Sequence, residues 1–211
     1  MINRRTITIL LTIANLGLLV TYVSGWVNPF ASDKKTIIRR LTLSKEPVEI
    51  TFTLKGKPVN ASKATRAAEG IRTEEFDGDE DWLKNLTLKL RNTSDKTITY
   101  IVLNLHFPEV TQNGRTALHQ VFLGVDPDGK FQRAELQLQP NETIEISLAE
   151  RYESLKTLVG AGNSRIEAVG KMWVQFHSAY FEDGTLFEAG TLFKRNPNQN
   201  GLPEWIKIDN P

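Results

Sequence analysis

The feature that most constrains this chain is a repeated alternation of apolar and polar residues, in short runs closed by turn-forming residues. In Val48–Leu54 the apolar positions are Val48, Ile50, Phe52 and Leu54. A period of two sends successive side chains to opposite faces of an extended strand; a helix would need a period near 3.6. The run 82–91 repeats the pattern, with Leu86, Leu88 and Leu90 set to face inward and Thr87, Lys89 and Arg91 outward. A turn, Asn92-Thr93-Ser94-Asp95-Lys96, then leads into 97–107, which is apolar on both faces at its centre, as in the middle of a covered sheet. Pro108 is expected to end that strand, because proline cannot donate to a ladder.

The rest of the chain extends this β-rich reading. Residues 36–43 are rich in β-branched side chains, and 117–123, 134–138 and 143–148 are further strand candidates set between turn signals at 125–129 and 140–142. Ser147-Leu148-Ala149-Glu150 matches a capping box, and Leu148, Tyr152, Leu155 and Val159 form the stripe of one helix stopped by Gly160 and Gly162. Residues 165–181 and 185–195 form a hairpin about Glu182-Asp183-Gly184, and the tail 196–211, with Trp205 and Ile206, reads as a strap over the core. The exception is 60–81, which is charged, contains Gly70 and Gly78, and has only Ile71 and Phe76 as apolar anchors among small and charged residues. It predicts a long exposed connection with a helical turn at 64–69, and long connections are mobile or functional. About eight short strands with a single late helix predict a mainly β fold, an immunoglobulin-like β-sandwich, with a barrel as the alternative.

Ahead of this domain stands a different kind of segment. Arg4 and Arg5 precede residues 6–27, which carry no charge and are long enough to span a bilayer as a helix. Basic residues before the stretch predict that the domain after it lies on the outer side, and Trp26 falls where an interfacial aromatic would sit. A retained anchor is preferred, held by Arg4, Arg5, Leu10, Leu11, Leu18, Leu19 and Trp26. A signal peptide cleaved after Val23-Ser24-Gly25, a twin-arginine signal at Arg4-Arg5, and a buried core helix are the other readings. The organisation expected is thus 1–27 anchor or signal segment, 28–35 linker, and 36–211 β-sandwich.

Composition removes several function classes. The chain has 26 basic and 25 acidic residues, two of the basic ones being Arg4 and Arg5, so the domain carries no electrostatic footprint for nucleic acid. With no cysteine it has no disulfide, no thiolate nucleophile and no thiolate metal site. His106, His119 and His177 are not at ligand spacing and read as ordinary strand residues. Asp77, Asp79, Glu80 and Asp81, with Asp126, Asp128 and Asp183 in other turns, offer oxygen ligands for calcium but no EF-hand pattern, and turn aspartates usually cap backbone. No hydrolase motif occurs, and the domain is read as non-enzymatic, without a cofactor. Trp82, Trp173, Trp205 and Tyr180 are either core residues or a stacking platform for sugar; the platform requires at least two of them exposed on one face. Four glycosylation sequons, beginning at Asn60, Asn85, Asn92 and Asn141, are short enough to arise by chance.

Three stretches taken together, DWLKNLTLKLRNTSDKTITYIVLNLHFPE, QPNETIEISLAERYESLK and FEDGTLFEAGTLFKRNP, resemble a set of uncharacterised bacterial exported proteins. The resemblance covers most of residues 45–205 and implies an exported β-sandwich, but no activity or ligand attaches to it. The expected function is a membrane-anchored extracytoplasmic binding or scaffold module of the bacterial cell membrane, with its C-terminal domain periplasmic. Its partners would be other envelope or membrane proteins, in one version as an accessory subunit of a membrane complex. Small and polar residues inside the hydrophobic segment, Asn15 and Gly17, favour helix–helix contact in lipid. The alternative is a secreted carbohydrate- or cell-wall-binding β-sandwich. The expected partner surface is Glu74, Glu75, Phe76, Asp79 and Trp82, on and beside the charged connection.

Overall fold

The structure, a computed structural model, describes residues 35–41, 46–66, 72–125, 134–197 and 204–208. The hydrophobic segment, with Arg4, Arg5, Leu10, Leu11, Leu18, Leu19 and Trp26, lies outside the described residues, and so do Asp126 and Asp128. In chain order the first elements are β1 (Lys35–Leu41), β2 (Val48–Leu54), β3 (Lys57–Pro58), β4 (Lys63–Arg66), β5 (Arg72–Gly78), a helical turn α1 (Trp82–Asn85), β6 (Leu86–Asn92) and β7 (Ile98–Gln112). They are followed by β8 (Arg115–Gly124), β9 (Thr143–Ser147), the helix α2 (Tyr152–Ala161), β10 (Lys171–Phe181), β11 (Thr185–Glu188), β12 (Thr191–Arg195) and β13 (Trp205–Ile208). The fold is mainly β, in two open sheets, with one helix that the 3-10 turn Ala149–Arg151 leads into.

The smaller sheet runs β3-β2-β6-β9 and is antiparallel throughout. In the larger one β10 is the hub. One of its edges pairs with β7, and β8 lies beyond β7. Its other edge is shared: β1 runs parallel to Lys171–Gln175, and β11 pairs antiparallel with Ser178–Tyr180. From β1 the sheet continues to β5 and β4, and from β11 to β12 and β13. The two sheets share one hydrophobic core. Ile50, Phe52, Leu88 and Leu90 of the small sheet meet Phe76, Leu103, Leu105, Val174 and Phe176 of the large one, and Phe52 and Phe76 stand edge to face with ring centroids 4.7 Å apart. Each large aliphatic or aromatic side chain so buried contributes about 1.5–3 kcal/mol.

The alternating runs predicted at 48–54, 97–107 and 117–123 are strands, and the inward leucines are Leu86, Leu88 and Leu90 as expected. Leu155 and Val159 bury the helix stripe, with Leu148 at its start and Gly162 at its end. No side-chain capping bond closes the helix start; instead the Leu148 amide donates to the Leu86 carbonyl at 2.9 Å, tying the entry to β6. The turn of the hairpin about Gly184 forms as predicted, with φ +78° at Gly184 and Asp183 Oδ1 accepting from the Thr185 amide at 3.0 Å. Its arms are shorter than 165–181 and 185–195: the first starts at Lys171, and the second turns back at Ala189 and Gly190, so that β11 pairs with β10 and β12 with β11.

Four further expectations are corrected. Residues 82–85 are a helical turn, because Trp82 and Leu83 are both buried, and consecutive residues of a strand point to opposite faces. Pro108 does not end β7, which continues to Gln112; the register shifts between Phe107 and Thr111, so the missing donor falls at an irregularity, where proline is tolerated. Residues 134–138 form no strand and contribute a single bridge, Ile98 to Leu138. The fourth concerns 60–81, predicted as an exposed loop with a helical turn: its described parts are β4 and β5, and β5 pairs with β1 along its whole length. The tail strap, where described, is β13 at the sheet edge against β12.

Candidate functional site

The described residues hold no group of three or more metal-ligating side chains placed to share an ion. His106 faces the outer side of the large sheet opposite Trp173, while His119 pairs in register with Leu105, whose side chain is in the core. His177 lies four residues along β10 from Trp173, about 13 Å at the strand rise, and its Nε2 is 3.4 Å from Glu188. The acidic residues are engaged locally: Asp79 with Lys55 at 2.8 Å, Asp81 with Lys84 at 3.6 Å, and Asp183 with Lys96 at 2.7 Å. Burial acts to raise the Asp183 carboxyl, but hydrogen bonds from Lys96 and Thr185 outweigh it and hold it below the usual range.

Of the five residues expected to form a partner surface, Phe76 and Trp82 are core residues, at 6% and 2% exposure, and offer no surface. Glu74 pairs with Arg39 and Arg72, Glu75 with Lys63 and Asp79 with Lys55. Arg39 is an inward-facing guanidinium lowered from its usual range by burial, with Glu74 acting against that shift. This group joins strands and holds charged residues in a sheet. It does not converge on a ligand.

The outer face of the large sheet is different. Because β10 pairs on both edges, outward residues of distant sequence position fall into direct cross-strand register. One row runs Leu118, His106, Trp173, Ile38, Glu75 and Lys63 across β8, β7, β10, β1, β5 and β4. The next runs Gln120, Asn104, Gln175, Arg40 and Thr73, with Gln120 Nε2 donating to Asn104 Oδ1 at 3.2 Å. Towards the other end, Tyr100, Tyr180, Leu186, Phe193 and Lys207 align over β7, β10, β11, β12 and β13. Aromatic rings link across this end: Phe122 to Tyr100 at 6.4 Å, Tyr100 to Tyr180 at 5.7 Å and Tyr180 to Trp205 at 5.7 Å, the last two edge to face. Two arginines stack on tryptophans, Arg40 over Trp173 at 5.0 Å and Arg195 over Trp205 at 5.7 Å.

Trp173, Tyr180 and Trp205, singled out in the sequence, therefore share one face, each half-buried, while Trp82 belongs to the core. Arg40, Asn104, Gln175, Tyr100 and Phe122 were not singled out. The available signal was that alternate positions of β7 and β10 are aromatic or amide-bearing, not charged, as is unusual for a solvated sheet face. Burial first and Arg40 second push the His106 imidazole below its usual range, against a hydrogen bond that its ring N–H donates to Gln175; His106 is thus neutral at neutral pH. Separately, a cleft of about 650 Å³ opens beside Pro47, Lys96, Phe181, Phe187, Leu192 and Ile208, but Lys96, its cation, is held by Asp183 at 2.7 Å and Thr185 at 3.3 Å.

Among the described residues no helix is long and apolar enough to cross a membrane. No family model, curated protein or solved structure matches the chain.

Proposed function

We propose that this chain is a non-enzymatic extracytoplasmic binding module, tethered to a bacterial cell membrane by its N-terminal hydrophobic segment, which recognises another envelope protein and serves as an accessory subunit of a membrane complex. The observation that carries this reading is the outer face of the large sheet. It holds half-buried Trp173, Tyr180, Trp205 and Arg40, residue types that dominate binding energy at protein interfaces, beside Tyr100 and Leu186, which are buried on the same face. The immunoglobulin-like reading of the two sheets, the anchoring helix and the kinship with bacterial exported proteins belong to the same proposal. The test is purification of the native protein in mild detergent with mass spectrometry of what accompanies it. A stoichiometric membrane-protein companion, lost when Trp173 and Tyr180 are replaced by alanine, supports it. Migration as a free monomer removes it.

A second reading, a carbohydrate- or wall-binding module, is favoured by one observation: Trp173, Tyr180 and Trp205 lie on a single face. Against it, sugar stacking needs an open ring face, whereas Arg40 and Arg195 each cover a face of a tryptophan and the Tyr180 contacts are edge to face. Retention of the purified protein on isolated cell-wall material, abolished by the same two alanines, would turn the conclusion towards sugar.

A further inference from the structure

On the outer face the strands β8, β7 and β1 and the adjoining half of β10 present almost no charge. Their outward residues are neutral except Arg40, with Lys171 at the far end beside Thr36. Arg40 sits between Gln175 on β10 and Thr73 on β5, neither of them charged, and makes no ion pair among the described residues. The acids of β5 are engaged elsewhere, Glu75 by Lys63 at 3.9 Å, Asp77 by the Ser62 hydroxyl at 3.4 Å, and Glu74 by Arg39 and Arg72 on the other side of the sheet. Glu188, the acid of β11 on this face, holds His177. The contact with Trp173, 5.0 Å from the guanidinium carbon to the ring centroid, is a cation-π interaction that restricts the rotamers of Arg40. Beside it lie the side-chain amides of Gln175 and Asn104, whose oxygens take hydrogen bonds from His106 and Gln120 and whose amide N–H groups remain as donors.

The geometry points to a carboxylate-binding site at Arg40: an acidic side chain of the partner protein docks in bidentate fashion on its guanidinium, against the ring of Trp173, while the amides of Gln175 and Asn104 take the partner's adjoining peptide groups. The chemistry follows from charge complementarity. A guanidinium without an ion pair among the described residues, flanked by neutral Gln175 and Thr73, attracts an anion, and its planar fork fits a carboxylate through two parallel hydrogen bonds. An extended peptide is preferred to an acidic sugar because the tryptophan face that a sugar ring would cover is occupied by Arg40 itself. This rests on the reading of the outer face as a protein-binding surface.

The test needs no partner, so its failure is distinct from failure of the co-purification. The full-length chain in detergent micelles is titrated with N-acetyl-glutamate capped as its α-methylamide, whose one carboxylate is the side chain, and with the equally capped N-acetyl-glutamine, which has none, following the indole N–H resonance of Trp173, assigned by Trp173→Phe. The expected result is a saturable millimolar shift with the glutamate probe, at least five-fold weaker with the glutamine probe. It is lost in Arg40→Gln and reduced in Arg40→Lys, which keeps the charge but not the fork. Unchanged resonances of Trp82 in these variants verify the fold. Equal responses to the two probes, or a response surviving in Arg40→Gln, overturn the site. A stronger response to glucuronate than to N-acetyl-glutamate overturns the peptide assignment in favour of an acidic glycan.

Discussion

Asn92 shows how one side chain holds three segments. It is fully buried, and its Nδ2 donates to the carbonyls of Lys96 at 2.8 Å and Leu138 at 2.9 Å. Its Oδ1 accepts from the amide and the hydroxyl of Ser94, at 2.9 and 2.7 Å. All its capacity is used, so the turn 92–96 and the bridge at Leu138 are set by a residue that the sequence showed only as part of a turn. Replacing Asn92 by alanine removes one of two donors from each of the Lys96 and Leu138 carbonyls and takes the acceptor from the Ser94 amide, and is expected to cost about 1–3 kcal/mol, measurable as a shift in the urea midpoint. His106 carries a pH signature. Its folded pKa lies below the ordinary 6.5, so the unfolded chain binds more protons on acidification. The stability it contributes is present in full above about pH 6.5 and is lost as the pH falls towards the folded value. Thermal midpoints measured from pH 7.5 to 5 should fall more steeply for the native chain than for His106→Gln.

At the scale of elements, β5 departs most from its composition. RTEEFDG has a single large apolar residue, yet it forms a full-length antiparallel partner of β1. The reason is division of labour: Phe76 enters the core against Phe52, while Glu74 and Glu75 before it pair with Arg39, Arg72 and Lys63 and Asp77 after it accepts from the Ser62 hydroxyl. Deleting residues 64–78 therefore removes a sheet strand, and the product is expected to lose cooperative thermal unfolding. Phe76→Ala alone should cost about 3–5 kcal/mol, read by denaturant titration. Retention of a sharp transition after the deletion would mean that β1 is stable without its neighbour. Gly124 makes a second element-scale case. It stands at φ +87° at the end of β8, where an added Cβ would collide with the carbonyl of Thr99. Gly124→Ala should depress the thermal midpoint and loosen the β7–β8 ladder, detectable as faster amide exchange at Tyr100 and Ile101.

For the molecule as a whole, the large sheet packs one face on the core and is proposed to use the other for recognition. If that outer face binds a partner, Trp173→Ala and Tyr180→Ala should each weaken the complex by about 2 kcal/mol, some thirty-fold, while changing the unfolding midpoint far less than Phe76→Ala does. Arg91→Ala, which breaks an exposed pair with Glu49 on the small sheet, should leave binding unchanged. Calorimetry with the companion protein, once it is isolated, separates the two classes of substitution. Equal effects from both would place the interface elsewhere.

By itself the sequence determined which residues point inward within each strand, since period two is a local property of the backbone. Ile50 and Phe52, Leu86, Leu88 and Leu90, and the helix stripe at Leu155 and Val159 were all legible in this way, as was the hairpin about Gly184 through its turn chemistry. Part of the candidate site was legible too, because Trp173, Tyr180 and Trp205 are large and few. What only the tertiary structure decided is adjacency. The parallel pairing of β1 with β10 joins Ile38 to Trp173 and Arg40 to Gln175 across more than half of the chain, and no local pattern encodes such a neighbour. Alternation assigns a residue to a face, but the order and register of strands follow from the combined burial and hydrogen bonding of both sheets. That is why Arg40 reads as one charge among many in the sequence, and as a guanidinium set over Trp173 between Gln175 and Thr73 once β1 is laid beside β10.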